Sequence, residues 1–155
     1  MSEPSASASI EIDAPPERVY ELVTDLEGMG AWNAECERAR WIGEVRSARR
    51  GARFRGSNRN GSRRWSTVCT VTAAEPGRVF AYHVRAGGML DIAVWRFDIT
   101  PSEMGCVVEQ KTWDTRGRFM LVVGRLATNV ADRAAHNAAN MRRSLEGLKR
   151  VAESG

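Results

Sequence analysis

The sequence predicts an α+β domain: a curved antiparallel sheet of about seven strands wrapped round one long C-terminal helix, with two short helices after the first strand. Three observations carry this. Apolar residues alternate with period two through much of the stretch 37–113, punctuated by turn signals such as Asn60-Gly61. The pair Pro15-Pro16 stands between a strand-like and a helix-like segment. From about residue 118 proline is absent, and apolar residues recur every three or four positions.

The elements follow in order. MSEPSASAS is small and polar, so residues 1–8 are expected to form a flexible tail and residues 9–153 a single domain. Ile10, Ile12 and Ala14 alternate with Glu11 and Asp13, the pattern of a half-buried strand. The prolines lack the amide proton a ladder needs but suit a first helical turn, where amide protons have no partner. Val19, Leu22, Val23 and Leu26 then share one helical face. Leu26 to Trp32, with Gly28 and Gly30, reads as a loop or a short second helix.

Strand alternation resumes at Glu37. One face is taken in turn by Ala39 and Trp41, by Phe54 and Gly56, and by Trp65, Thr67, Cys69 and Val71. Phe80, Tyr82 and Val84 continue it, followed by Trp95, Phe97 and Ile99. Glu75-Pro76-Gly77, Gly87-Gly88 and Pro101–Gly105 mark turns, and Cys106–Trp113 is the last strand. Short turns require antiparallel neighbours. The terminal helix, about 118–152, carries an alanine-rich stripe from Val123 through Ala127, Val130, Ala134 and Ala138 to Met141, Leu145, Leu148 and Ala152. Arg133, His136, Asn140, Arg143 and Lys149 fall on its other face. A long sheet curls, and only this helix is long enough to cover its apolar side. That is a helix-grip arrangement.

Composition bounds the function. With 155 residues, 43% of them hydrophobic and 27% charged, the chain is an ordinary globular domain. No apolar run approaches the roughly 20 residues of a membrane span, and the N-terminus lacks the basic and apolar regions of a secretory signal, so a cytoplasmic protein is expected. Cys36, Cys69 and Cys106 are widely spaced and read as reduced core residues. With only His83 and His136 besides, no metal-ligand spacing exists, and no cofactor motif is present. The formal net charge is +4, and eight arginines fall between Arg46 and Arg64. Their placement on strands and hairpins suits a solvated edge that resists aggregation. No aromatic-plus-basic signature accompanies them, which argues against nucleic acid as the partner.

The stretches IDAPPERVYELVTDLEGMGAW, GARFRG, VTAAEPGRVFAYHV, WRFDITP and GCVVEQKTWD resemble the START-like, Bet v 1-like superfamily. More narrowly they resemble its bacterial polyketide cyclase/dehydrase (SRPBCC) group, from about Ser9 to Ala152. The resemblance implies a cavity between the curved sheet and the long helix, open near the early helices and the hairpin tips. A bent sheet and a straight helix meet at one end and diverge at the other, which leaves room for a ligand. The superfamily spans many activities, so function is argued from the site.

Alternation puts Phe54, Trp65, Tyr82 and Trp95 on the apolar face, where they either fill the core or stack on a flat ligand. Trp32 resembles the aromatic that follows the second short helix in this group. Thr67 and Gln110 are candidates to orient a ligand carbonyl or hydroxyl. Val108 shares the face of Gln110 and completes the candidate set, while Glu109 and Lys111 face water. Related sequences often carry a glutamate where Gln110 stands, and an amide cannot act as a general base. His83 and His136 fall on polar faces, and Asp25, Asp91, Asp98 and Asp114 read as strand-end, turn or cap residues. No nucleophile elbow, phosphate loop or paired carboxylates occur.

The leading expectation is a protein that binds a small hydrophobic or aromatic molecule, polyketide-, lipid- or isoprenoid-like, as carrier or sensor. A polyketide cyclase/dehydrase-type enzyme is the second reading, its catalytic residues unassigned, since shaping a flexible chain needs few titrating groups. A regulatory or toxin-like module that meets nucleic acid or protein through the Arg46–Arg64 hairpins is the third. A homodimer is left open.

Overall fold

The computed structural model describes residues 3–34, 36–86, 90–115 and 133–154. β1 (Ala6–Ile12) leads into α1 (Pro16–Thr24) and a 3₁₀ turn (Met29–Ala31). Six strands follow: β2 (Cys36–Trp41), β3 (Arg53–Asn60), β4 (Arg63–Glu75), β5 (Val79–Ala86), β6 (Leu90–Pro101) and β7 (Cys106–Asp114). The long helix α2 (Arg133–Ser154) ends the chain. The strands form one antiparallel sheet in the order β1-β7-β6-β5-β4-β3-β2. This is the helix-grip fold, with the second expected short helix reduced to the single 3₁₀ turn.

Local chemistry sets the joints. Pro15 is the N-cap of α1 and Pro16 its first residue, as the missing amide protons allow. Glu75-Pro76-Gly77-Arg78 closes with the Arg78 amide donating to the Glu75 carbonyl at 2.9 Å, and Gly77 takes the φ of +76° that a type II turn needs there. The β3–β4 ladder runs to Asn60↔Arg63, so that hairpin turns on Gly61-Ser62, one residue later than Asn60-Gly61 suggests. Register shifts at Cys36/Arg38, Val71/Ala73 and Val84/Arg85 bend the sheet.

Two sequence expectations need correction. β1 starts at Ala6, and Ala6, Ser7 and Ala8 pair with Thr112, Lys111 and Gln110. Residues 6–8, expected in the tail, therefore extend the sheet, because the edge of β7 offers partners for their backbone groups. The second concerns α2. Its expected portion before Arg133, with Val123, Ala127 and Val130, lies outside the described residues. In the described part the buried side chains are Asn137, Asn140, Met141, Ser144, Leu145, Leu148 and Ala152, while Ala138 is half-buried. Asn140, expected on the solvent side, faces inward. A polarity count assigns asparagine to water, yet this helix borders a hollow as well as a core.

The core occupies one end of the grip. Leu145, Leu148 and Ala152 pack there with Ile12, Val19, Val23, Phe80, Phe97 and Val108. α2 is seated by polar ties as well. Lys149 Nζ donates to the Glu11 carbonyl at 3.1 Å, and the Asp13 amide donates to Glu153 at 2.8 Å. Gly147 lets the helix rest on Trp32, since a Cβ there would meet the Trp32 carbonyl oxygen at 2.7 Å. No helix among the described residues is long and apolar enough to cross a membrane.

Candidate binding site

On the N-terminal side of Leu145 a hollow lies between the helix and the sheet. Its sheet wall is the inner face of β3–β7: Phe54, Thr67, Cys69, Tyr82, Trp95 and Gln110 line it, with Trp65 and Asn58 toward the hairpin. Its roof is the first half of the described helix, through Asn137, Asn140, Met141 and Ser144. Met29 and Asn33 close the side toward α1. The free space is about 80 Å³. A buried water needs roughly 10–15 Å³ and the cavity known to take benzene is about 150 Å³, so the hollow has room for several waters and a ring enters only where the lining yields.

Period-two geometry gathers this wall. The cross-strand register aligns Val71, Tyr82, Trp95 and Thr112 in one row, and Phe54, Cys69 and Val84 in the next. The rings stack edge-on along the floor. Phe54 meets Tyr82 with centroids 5.1 Å apart, and Trp41 props Phe54 at 5.6 Å. Such pairs fix ring positions as well as burying area.

Six of the eight sequence candidates therefore share one cavity: Phe54, Trp65, Thr67, Tyr82, Trp95 and Gln110. Two do not line it. Val108 shares the face of Gln110 but sits two residues nearer the closed end, fully buried where Ile10 and Ile99 flank it. Trp32 is buried edge-on against Phe97, centroids 5.9 Å apart, because its backbone is pinned under Gly147. Sequence reading missed Asn137, Asn140 and Ser144. Counted by position alone they continue the stripe of Met141, Leu145 and Leu148, which is the signal that could have found them.

Most polar groups of the wall are engaged by the wall. Ser144 Oγ accepts from the Ala34 amide at 2.8 Å, and Asn33 Oδ1 accepts from the Cys36 amide at 2.8 Å. Thr67 Oγ1 lies 3.4 Å from Asn58 Nδ2 and 3.9 Å from Cys69 Sγ. Asn140 Oδ1 accepts from Arg143, which turns its Nδ2 toward His136 Nε2 at 2.9 Å. Gln110 differs: it is 3% exposed, and its Oε1 has no hydrogen-bond partner.

The electrostatics are quiet. Among the described residues no carboxylate, histidine, lysine or arginine lines the hollow. Burial pushes the Cys69 thiol up to about 12, despite its contact with Thr67, so it stays neutral at ordinary pH. A second depression, beside the β3–β4 hairpin, shares Asn33, Cys36 and Asn140 with the hollow and is rimmed by Glu37, Arg59 and Arg143, and there Arg59 and Glu37 pair at 3.2 Å. His83 pairs with Asp91 at 3.3 Å, away from the hollow. No group of three or more metal-ligating side chains is gathered among the described residues.

The family model described as polyketide cyclase / dehydrase and lipid transport matches residues 3–153. No curated protein matches the chain in sequence. Solved structures do. The crystal structure of a protein from Chromobacterium violaceum has a TM-score of 0.69 at 17% identity, covering 95% of this chain and 96% of its own. The solution structure of a Polyketide_cyc-like protein from Corynebacterium glutamicum is 27% identical, with a TM-score of 0.62 over 99% of this chain and 94% of that one. The di-domain ARO/CYC StfQ of the steffimycin biosynthetic pathway has a TM-score of 0.72 at 15% identity, over 96% of this chain and 50% of StfQ.

Proposed function

The chain belongs to the polyketide cyclase / dehydrase and lipid transport family, and on that premise we propose that it holds a small hydrophobic or aromatic molecule between sheet and α2, as carrier or sensor. The observation that carries this is the wall itself. Phe54, Tyr82, Trp65 and Trp95 supply rings, amides and hydroxyls lie between them, and no strong acid or base of the described residues joins them. Such a wall desolvates and orients a ligand, and the ionisable side chains among its described residues are the Tyr82 phenol and the Cys36 and Cys69 thiols, not a carboxylate, histidine or lysine. The free cysteines suit a reducing compartment, in keeping with a cytoplasmic role.

A cyclase-like enzyme is the second reading, favoured by the likeness to StfQ. Here the hollow would act by confining a flexible chain, a contribution that requires shape and not titration. The free space of about 80 Å³ favours a single small ring over a long folded chain, which places binding first.

Native mass spectrometry of protein purified from its own host tests the proposal. A co-purifying neutral small molecule supports it. Tryptophan quenching by a panel of small flat compounds locates the site: Trp65→Ala and Trp95→Ala should weaken quenching far more than His136→Ala. Equal effects would remove the hollow from the assignment.

A further inference from the structure

We propose that the ligand of this hollow is uncharged and donates a hydroxyl hydrogen bond to Oε1 of Gln110. The inference rests on the small-molecule reading above and narrows its ligand class. Gln110 stands on β7 opposite Phe97 and Ala8, one row from Trp95 and Thr112. It is 3% exposed, lines the hollow, and its carbonyl oxygen has no partner. Its neighbours do not share that state. Thr112 Oγ1 donates to the Val94 carbonyl at 3.1 Å, and Ser144, Asn33 and Asn140 are engaged as described. A ligand that displaces water from the hollow without supplying a donor leaves this buried acceptor unpaired, which is costly, so the site selects a molecule that brings one. The ring of Trp95, one row away, and that of Tyr82 beyond it in the same row fit a flat body carrying that donor. With no ionic side chain of the described residues on the wall, a charged ligand would lose its hydration without gaining a counter-charge. A small hydroxylated ring satisfies every one of these conditions.

The probes are phenol, toluene, anisole and benzoate, rings of similar size. Phenol donates, anisole only accepts, toluene does neither, and benzoate is charged. Each is titrated into ¹⁵N-labelled protein while the indole N–H signals of Trp65 and Trp95 are followed. Phenol should bind about tenfold more tightly than toluene or anisole, the order of one hydrogen bond to a buried acceptor. Benzoate should leave both signals in place. Gln110→Met, which keeps length and removes the amide, should abolish the preference for phenol and retain toluene. Its melting temperature reports whether it is folded, and the wild-type series decides the matter without it. Anisole or toluene equal to phenol, benzoate binding as phenol does, or a preference that survives Gln110→Met would each overturn the inference and leave the small-molecule reading standing. If none of the four shifts either indole and no molecule co-purifies, both fall together.

Discussion

Gly147 shows how one residue fixes the geometry that the hollow depends on. In an exposed helix, glycine to alanine is a gain of about 1 kcal/mol. Here an added Cβ would lie 2.7 Å from the Trp32 carbonyl oxygen and 3.2 Å from its Cα, and backbone cannot swing aside as a side chain does. Gly147→Ala should therefore destabilise by about 1–3 kcal/mol, the range of an overpacked contact, in urea titration. A gain in stability would mean that α2 does not rest on Trp32. Cys69 gives a pH signature. Burial raises its thiol from 9.0 to about 12, with the Thr67 contact working in the opposite sense. A group whose folded value is raised contributes fully below its unfolded value, and the contribution is lost as pH climbs from about 9 toward about 12. Wild-type stability should fall more steeply over that window than that of Cys69→Ala. Parallel curves would place Cys69 in water. Both effects depend on contacts across strands and helices, which a linear pattern does not display. Alternation could put Gln110 and Val108 on one face, but not tell which of them meets the hollow.

At the level of elements, the two halves of the sheet carry opposite charge logic on their outer face. On β6 and β7, Arg96, Asp98 and Lys111 form a mixed cluster, with Asp98 bonded at 3.0 Å to Arg96 and at 3.2 Å to Lys111. Burial alone would raise the Asp98 carboxyl, and the two cations outweigh it and hold it low. On β2–β4, by contrast, Arg40 stands directly opposite Arg55, and Arg59 opposite Arg64. Like charges so placed cost roughly 0.2–1 kcal/mol a pair. Arg55→Thr should raise stability by about 0.5 kcal/mol in low salt. The gain should vanish near 1 M salt, where the screening length falls to about 3 Å. A gain that ignores salt would point to strand propensity and not to charge. The elements themselves were largely legible. Pro15-Pro16, Pro76-Gly77 and the alternation around Phe80 and Trp95 each translate into one local geometry, and each element formed where those signals stood. The start of β1 was not legible, because Ala6, Ser7 and Ala8 have no pattern of their own and take their structure from β7. The inner face of α2 was half legible: hydrophobic positions gave Leu145 and Leu148, while Asn137 and Asn140 look solvated to any polarity rule.

For the molecule as a whole, α2 does two tasks along one face. Its second half fills a dry core with Leu145, Leu148 and Ala152, and its first half roofs a hollow with Asn137, Asn140 and Met141. Met141 is as deeply buried as Leu148, at 1% and 0% exposure, so burial alone predicts similar costs for truncation. Packing separates them. Leu148→Ala removes atoms surrounded on all sides and should cost about 2–5 kcal/mol. Met141 already has free space on one side, so the lining it leaves loses fewer contacts, and Met141→Ala should cost clearly less than Leu148→Ala in the same urea assay. The same truncation enlarges the hollow without touching its floor. Naphthalene, which the wild-type space of about 80 Å³ should refuse, should then quench Trp95 in Met141→Ala while Leu148→Ala remains unresponsive. If instead the two variants lose equal stability and neither admits the larger ring, the helix packs uniformly along its length. The division of the grip into a core end and a binding end would then be wrong.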